Sequence, residues 1–430
     1  MTCKQNLLMY LIHYKNGPEE KMEKELFKKI DSYKQTVIDL QTHMIACPAV
    51  SPHAGGPGEN AKAEYLFSVL KEMNFDELYY INVKDPKAKD GVRPNIVAKY
   101  YGENKKKTLW VMAHMDIVPP GDLNLWKTDP YKAVVKGDKI YGRGSEDNQQ
   151  GLVSALLTVK AMMESNVRPP CNYALLLNAD EEIGSEFGIR AILKKYGKTF
   201  GKEDAFLVPD GGNPEGTMVE IAEKNMLWVK FTVQGKQTHA STPHFGNNAA
   251  RASAHLVVKL GDLYKIFNKK DKVFAPESTS TFEPTKRLAN VPNVNTIPGT
   301  DVFYLDCRIL PCYKNADVLA EIAKMVKAIE KQFKVTVKVE TEINESSLPT
   351  DKNASIVKLT QAAAKTVYKN SPRAMGVGGG TVGAYLRNAG YPVVVFSKLD
   401  DMAHQPNEYS SIKNTLGDAK VFTLVALNFK

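Results

Sequence analysis

Apolar positions along the chain follow two periodic patterns, which alternate through the first half of the sequence. Continuous apolar runs at 109–113, 173–178 and 205–208 predict strands that are buried on both faces. Apolar residues at helical spacing in 22–46 and 60–73 predict amphipathic helices. Strands that alternate with helices are typical of a sheet covered by helices on both faces.

The pattern changes after the glycine- and proline-rich segment 211–214. From there the order of elements is strand, helix, two strands, helix and strand, which suits a small α+β domain with a single sheet. The predicted ranges are strand 226–234, helix 247–267, strands 287–297 and 300–309, helix 314–333 and strand 334–342.

Alternating α/β character returns at about residue 345, with a predicted helix at 353–368 and a strand at 392–397. An inserted domain explains this return better than two domains in tandem. We therefore predict an α/β/α domain with a mixed, largely parallel sheet, formed by 1–215 and 344–430, and an inserted α+β domain at 216–343.

Length and charge narrow the possibilities. A chain of 430 residues exceeds the size at which a single hydrophobic core usually stops growing, which also favours two domains. The net charge of +9 is spread over many lysines, which indicates solvated faces first and attraction of anionic substrates second. No basic stripe with interleaved aromatic residues is present, so nucleic acid is not an expected partner.

The cysteines and the start of the chain bear on its location. Five cysteines, with no Cys-x-x-Cys pair, argue against a disulfide framework and a thiolate zinc site. The apolar run within Met1–His13 is shorter than a secretory signal, and no run approaches the ~20 residues of a membrane span. We expect a cytoplasmic protein without membrane partners; translation starting at Met22 is a further hypothesis.

Histidines and carboxylates recur directly after apolar runs or sharp glycine turns. The positions are His114, Asp116, Asp147, Asp180, Glu181, Glu182 and Asp210, with His404 in a later loop. Taken singly, each has an ordinary interpretation as a turn, helix-start or loop residue. Because the carboxyl ends of parallel strands meet at one edge of a sheet, the set together predicts one convergent site.

Two imidazoles and several carboxylates, without a thiolate, suit zinc, cobalt or manganese; we favour zinc. Two divalent ions fit this set better than one, since a bridging carboxylate, a histidine on each ion and a further acid on each make two sites. One carboxylate must stay uncoordinated to accept a proton from water. The adjacent pair Glu181 and Glu182 supplies one residue for each task.

Between about residues 60 and 412, the order and spacing of these motifs resemble those of a co-catalytic metallopeptidase family. This family includes carboxypeptidase G, acetylornithine deacetylase, succinyl-diaminopimelate desuccinylase, aminoacylase and related dipeptidases. The resemblance implies that His114 and Asp210 bind one ion, Glu182 and His404 bind the other, Asp147 bridges them, Glu181 is the catalytic base, and Asp116 hydrogen-bonds the ligand histidine. It also implies a cis peptide bond after Asp147.

The resemblance extends to the inserted domain, which it identifies as a lid and dimerisation domain. Here it implies that His239 stabilises the oxyanion, acting in the partner subunit of a homodimer, whereas His244 is interpreted as a loop residue. It also implies that Asn295 and Arg308 contact the substrate carboxylate. An ion pair between Arg308 and Asp306 is the open alternative.

A glycine-rich segment, Gly376–Thr381, precedes a predicted helix. In the resemblance, Gly379, Gly380 and Thr381 line the pocket for the carboxylate end of the substrate; a tight turn with packing glycines is the alternative. The chain departs from many relatives after Asp147, where Gln149 stands in a stretch that commonly holds a lysine. Metal binding does not depend on that lysine, but the subclass of substrate is harder to transfer.

These observations predict a two-metal hydrolase that cleaves a peptide or N-acyl amide bond beside a free carboxylate. A short peptide substrate, as for a dipeptidase or carboxypeptidase, is favoured slightly. The alternative is an N-acyl amino acid deacylase of the acetylornithine or succinyl-diaminopimelate type. A non-catalytic metal- or peptide-binding module is a distant alternative, because the base Glu181 is present.

Overall fold

The apolar runs of the sequence form the centre of a mixed sheet in a computed structural model, which describes residues 18–430. The chain divides into two compact units. Of the described residues, unit 1 comprises 18–221, Thr350–Ala374 and Thr381–Lys430, and unit 2 comprises Ala222–Pro349 and Met375–Gly380. The N-terminal apolar run, Cys3 and the alternative start at Met1 lie outside the described residues.

Within residues 18–430, eight strands form the large sheet, in the order β1-β2-β6-β3-β7-β16-β8-β15. Their bounds are β1 Glu77–Lys84, β2 Val92–Tyr100, β3 Asn104–His114, β6 Cys171–Asn178, β7 Ala205–Gly212, β8 Met218–Glu223, β15 Arg373–Val377 and β16 Val393–Ser397. The neighbours β6, β3, β7 and β16 run parallel, whereas β1, β2 and β8 pair antiparallel with their neighbours. A three-stranded sheet is formed by β4 Val134–Lys136, β5 Lys139–Tyr141 and β17 Tyr409–Ser411.

Helices cover both faces of the large sheet. The helices of unit 1 are α1 Pro18–Asp31, α2 Lys34–Ile45, α3 Asn60–Glu72, α4 Gly151–Glu164, α5 Ile189–Lys195, α9 Ser355–Tyr368, α10 Gly383–Asn388 and α11 Ile412–Asn428. Alternate residues of the central strands, such as Trp110 and Phe206, pack in one core with α5 and α10. Helix α4 contacts β3, β6 and β7, and α11 packs against α4. The predicted α/β/α fold is confirmed.

Unit 2 is built on an antiparallel sheet in the order β11-β13-β9-β14. Its elements are β9 Asn225–Gln234, β10 Thr238–His239, α6 Ala249–Leu260, α7 Leu263–Ile266, β11 Thr281–Arg287, β12 Thr296–Ile297, β13 Thr300–Ile309, α8 Asn315–Phe333 and β14 Thr336–Glu345. Burial alternates along β9, as expected for a sheet with one face on a core. That core includes Leu227, Phe231 and Phe303 of the sheet together with Leu256 and Ile322 of α6 and α8.

Three predicted elements differ from the structure. The helix predicted at 22–46 is two helices, because the chain turns at Ser32 and Tyr33. The helix predicted at 247–267 ends at Leu260 and is followed by a separate short turn of helix. The strand predicted near 287–297 is wrong, since the strand lies earlier, at β11, and only β12 falls within that range.

Membrane insertion finds no support in the helices of the described part. Within residues 18–430, none combines the length and apolar character that a membrane crossing requires.

Candidate metal centre

Three neighbouring strands bring the predicted ligands together at one edge of the sheet. His114 is the last residue of β3, and Asp210 lies in β7, which pairs with β3. Glu181 and Glu182 follow β6, the neighbour of β3 on its other side. Since these three strands are parallel, their carboxyl ends meet, as the sequence predicts.

Asp147 lies in the turn Ser145–Gln150 and directs its two oxygens towards different histidines. Its Oδ1 is 2.9 Å from His114 Nε2, and its Oδ2 is 3.1 Å from His404 Nε2. The same two ring nitrogens meet one further carboxylate each: His114 Nε2 lies 3.4 Å from Asp210 Oδ1, and His404 Nε2 lies 3.1 Å from Glu182 Oε2. The arrangement has two halves that share Asp147.

Each half could hold a metal ion. The groups are His114, Asp147 and Asp210, and Asp147, Glu182 and His404; within each, one ligand atom per residue lies within 4.8 Å of the others. Imidazole nitrogens and carboxylate oxygens are the donors that zinc, cobalt and manganese accept. Glu182 Oε1 is buried and has no hydrogen-bond partner in residues 18–430, which fits an atom that awaits a cation. The residues present therefore fit a pair of divalent ions.

A hydrogen bond at Nδ1, on the side of the ring away from the carboxylates, fixes the orientation of His114. Its Nδ1 donates to the backbone carbonyl oxygen of Asp116 at 3.0 Å, so Nε2 faces the carboxylates. The Asp116 carboxylate, which the resemblance assigns to this task, lies farther from Nδ1, at 3.6 Å. Its two oxygens instead accept the backbone N–H groups of Glu181 and Glu182, each at 3.0 Å. Asp116 thereby orients the turn that carries both glutamates.

The pKa values in the cluster reflect its excess of carboxylates. Hydrogen bonds to Asp147 and Glu182 raise the pKa of His404 to about 10. Burial alone would lower the pKa of His114, but the nearby charge of Asp210 and hydrogen bonds to the carboxylates raise it well above its ordinary value. Burial and the charge of Asp147 raise the pKa of Glu182 to about 7. Bound metal cations would neutralise the carboxylate charges in place of protons.

Glu181 stands apart from both groups. Its carboxyl group makes no hydrogen bond within residues 18–430, although the neighbouring Glu182 carboxyl faces His404. Burial, and next the charge of Asp210, raise the pKa of Glu181 well above its ordinary value. A carboxyl group beside two cation sites but bound to neither is suited to proton transfer.

The comparisons with known proteins agree with this geometry. The model of peptidase family M20/M25/M40 matches residues 110–428. This chain belongs to that family. An uncharacterized metallohydrolase of Methanocaldococcus jannaschii is 43% identical over 409 residues, which cover 90% of this chain and 98% of the relative.

More distant members of the M20/M25/M40 family have named activities. A succinyl-diaminopimelate desuccinylase of Pelagibacter ubique is 25% identical over 395 residues, covering 91% of this chain and 98% of the relative. A crystal structure of an M20 family metallo-carboxypeptidase from Sulfolobus solfataricus has a TM-score of 0.71 at 20% identity, covering 91% of this chain and 98% of that one. The likeness in structure concerns the fold. Membership of the family makes this protein a metallohydrolase.

The Asp147–Asn148 peptide bond is cis, as the resemblance to the M20/M25/M40 family implies. Asn148 itself has a role that sequence reasoning missed. Its Nδ2 donates to Asp210 Oδ1 at 2.5 Å and to the Pro209 carbonyl oxygen at 2.8 Å, and so holds one of the candidate ligands. Its place directly after Asp147 is the only signal in the sequence that could have pointed to it.

The predicted substrate-binding residues of unit 2 have partners of their own. Arg308 donates from Nε to Asp306 Oδ1 at 2.8 Å and from Nη2 to Asp306 Oδ2 at 3.1 Å, so the ion pair left open by the sequence is present. His239 is exposed, and its Nδ1 lies 2.7 Å from Ser241 Oγ. The amide oxygen of Asn295 accepts a hydrogen bond from Asn293.

The glycine-rich segment begins with the last two residues of β15 and continues as an open turn. A Cβ at Gly379 would meet nothing within 4 Å, whereas one at Gly380 would lie 3.1 Å from Met226 Cε. Thr381 Oγ1 accepts the backbone N–H of Gly383 at 3.0 Å. The helix that follows, α10, has only six residues, so it offers no extended helix start for an anion.

Proposed function

We propose that this protein is a two-metal hydrolase that cleaves a peptide or N-acyl amide bond beside a free carboxylate. The observation that carries the proposal is the position of the Asp147 carboxylate between the two donor groups. One of its oxygens faces His114 and the other faces His404. A carboxylate shared in this way is what a bridged pair of ions requires. The identity of the ions stays a prediction, with zinc favoured over cobalt and manganese.

The roles of the residues follow from their positions. His114, Asp147 and Asp210 would hold one ion, and Asp147, Glu182 and His404 the other. When bound, such ions supply a polarising charge to a carbonyl oxygen and make a water molecule acidic near neutral pH. Glu181 would accept a proton as the water oxygen bonds to the carbonyl carbon. It would then give that proton to the amine nitrogen as the C–N bond breaks.

The substrate end of the reaction rests on the resemblance and stays a prediction. His239 would stabilise the developing oxyanion, and Asn295, Arg308 and the turn Gly379–Thr381 would receive the free carboxylate. Arg308 already pairs with Asp306 through Nε and Nη2, and its Nη1 donates to the Gly378 carbonyl oxygen at 3.0 Å. One N–H group on each of Nη1 and Nη2 is left without a partner in residues 18–430 and could donate to a substrate carboxylate. Assembly as a homodimer through the inserted domain, and a cytoplasmic location, are also predictions.

Two substrate classes compete. The glycine-rich turn favours a short peptide, since small residues leave room for a peptide carboxylate end. The named activity of the desuccinylase of Pelagibacter ubique favours an N-succinyl amino acid. Both substrates present an amide bond near a carboxylate, so the same donor set serves either.

Hydrolysis by the metal-reconstituted protein of dipeptides and of N-acetyl and N-succinyl amino acids tests the proposal. We expect turnover of one class, with a loss of at least about 100-fold in kcat for Glu181→Gln, given the usual contribution of general bases. Metal binding by this variant should be unchanged. Glu186→Gln, which alters an exposed glutamate of the same loop, is the matched control and should keep full activity. Equal activity of Glu181→Gln and wild type would contradict the assignment of the base.

A further inference from the structure

Two buried glutamates flank the candidate ligands Asp147 and His404 in the sequence. Glu146 precedes Asp147 and is 2% exposed, and Glu408 follows His404 by four residues and is wholly buried. Neither belongs to the two donor groups. A buried carboxylate is costly unless it is fully hydrogen-bonded, so the partners of these two side chains indicate their role.

Glu408 holds the turn that carries Asp147. Its Oε1 accepts the backbone N–H groups of Glu146 at 2.9 Å and Asp147 at 3.1 Å. Its Oε2 accepts from Gly144 N at 2.9 Å and from Arg143 Nη1 at 2.7 Å. The carboxylate therefore accepts three backbone N–H groups of one turn, and the Arg143 guanidinium balances its charge.

Glu146 holds the loop that leads to His404. Its Oε1 accepts the backbone N–H of Asp400 at 2.6 Å, and its Oε2 accepts that of Met402. The loop contains three non-glycine residues with positive φ: Asp401 at 60°, His404 at 63° and Asn407 at 62°. Such a backbone is disfavoured on its own and persists when the surroundings fix it.

The two contacts are reciprocal, because a glutamate beside Asp147 fixes the His404 loop and a glutamate of that loop fixes the Asp147 turn. The His404 side chain is 57% exposed, and within residues 18–430 its ring is held only by carboxylates, Asp147 and Glu182. Packing does little to place the imidazole. The distance between it and Asp147 depends on how the two loops are fastened to each other.

We propose that Glu146 and Glu408 form a reciprocal carboxylate clamp that sets the spacing of Asp147 and His404, and that both are positioning residues for the metal pair. The inference rests on the proposed function, since it concerns the two ions. It makes an asymmetric prediction: loosening Glu146 disturbs the group that contains His404, whereas loosening Glu408 disturbs Asp147, which both groups share.

Binding of Co²⁺ alone tests the clamp, followed by visible absorption and by competition with a chelator. In Glu146→Gln, one carboxylate oxygen becomes an amide N–H₂ facing a backbone N–H, so the loop loses one anchor. We expect the donor group that contains His404 to lose about 10- to 100-fold in affinity, as for other partners of metal ligands, while the ion at the group that contains His114 binds as in wild type. The absorption bands of Co²⁺ at the group that contains His404 should be absent at Co²⁺ concentrations that saturate the wild type.

Asp204→Asn is the matched control. Asp204 is equally buried and accepts the backbone N–H of Thr108 and of Gly201, at the opposite end of β3 from His114. This variant should lose stability but bind both ions with wild-type affinity. Glu408→Gln should weaken both ions; if this variant does not fold, Glu146→Gln with its control still decides the question.

The outcomes separate the clamp from the proposed function. If the wild type binds two Co²⁺ ions and Glu146→Gln binds both with unchanged affinity, the clamp is refuted while the proposed function stands. Equal weakening of both ions in Glu146→Gln, matched by Asp204→Asn, would also refute it, because that pattern reflects stability alone. If the wild type binds fewer than two ions, the proposed function is refuted and the clamp with it.

Discussion

Replacing Arg93 by Met should strongly destabilise unit 1, although Arg93 touches no candidate ligand. The guanidinium is fully buried, and so are the three carboxylates around it. It binds Glu59 through both oxygens, and Nη1 lies 3.2 Å from Asp180 Oδ1 and 3.4 Å from Asp85 Oδ2. One cation thus ties together the start of α3, the end of β1 and the residue before Glu181.

The magnitude follows from what the substitution leaves behind. Breaking one buried ion pair costs about 3–5 kcal/mol, because the remaining charge keeps its desolvation penalty without its partner. Here Met leaves three carboxyl groups in a space that excludes water, so the cost lies at or above the upper end of that range. For a unit of this size such a loss lowers Tm by at least about 10 °C, at roughly 2–4 °C per kcal/mol.

The loss should also depend on pH. Burial already raises the pKa of Glu59 and of Asp180 above their ordinary values, in spite of the nearby Arg93. Without that cation both pKa values rise further, so the folded state of Arg93→Met holds protons that the unfolded chain releases. Where the folded state binds more protons, stability falls as pH rises. The variant should therefore be less destabilised at pH 5 than at pH 8.

Thermal and urea unfolding of the metal-free proteins at these two pH values measure the effect. Arg168→Met is the control, since Arg168 pairs with Asp76 at 2.5 Å but its side chain is 49% exposed. An exposed pair of this kind contributes at most about 1 kcal/mol. A Tm for Arg93→Met within 2 °C of the control, or a larger loss at pH 5 than at pH 8, would refute the reasoning.

Two further predictions concern unit 1. Burial raises the pKa of Asp418 to about 7, from an ordinary value near 3.8, so this group should lower the stability by up to about 4 kcal/mol as pH rises from about 4 to 7. Unfolding at both pH values should therefore show a smaller fall in stability for Asp418→Asn than for wild type. At the end of β7, a Cβ on Gly212 would lie 1.8 Å from the Ser397 backbone oxygen. Chemical denaturation should therefore show that Gly212→Ala lowers the free energy of unfolding by at least about 1–3 kcal/mol. Gly197→Ala is the control and should be neutral, because a Cβ there would meet nothing within 4 Å. A pH profile of Asp418→Asn parallel to wild type, or equal stabilities of the two glycine variants, would contradict these expectations.

Much of the fold was predictable because burial on both faces leaves a local trace. The run before His114 is continuously apolar, and the structure buries all of β3 from Thr108 onwards. The interruption at Ser32 and the early position of β11 were not predictable in this way. Polar residues continue through both places, so the pattern of apolar positions gives no boundary there.

The candidate site divides along the same line. Its ligand candidates could be found from the sequence because each of His114, Glu182 and Asp210 lies at or near the end of a buried strand, where a charged side chain is costly without a function. The residues that hold these ligands in place could not be found in this way. Glu408 and Arg93 act on residues 261 and 87 positions away in the chain, and a glutamate or arginine carries no local sign of such a contact.

The sequence by itself determined which residue types reach the edge of the sheet, since strand burial and the order of apolar runs are local properties. Only the tertiary structure decided how those side chains are held. It placed the Asp116 carboxylate on two backbone N–H groups, paired Arg308 with Asp306, and linked the Asp147 and His404 loops through Glu146 and Glu408. The physical reason is that a buried charge must find hydrogen-bond partners, and which partners lie within reach depends on segments that are far apart in the chain.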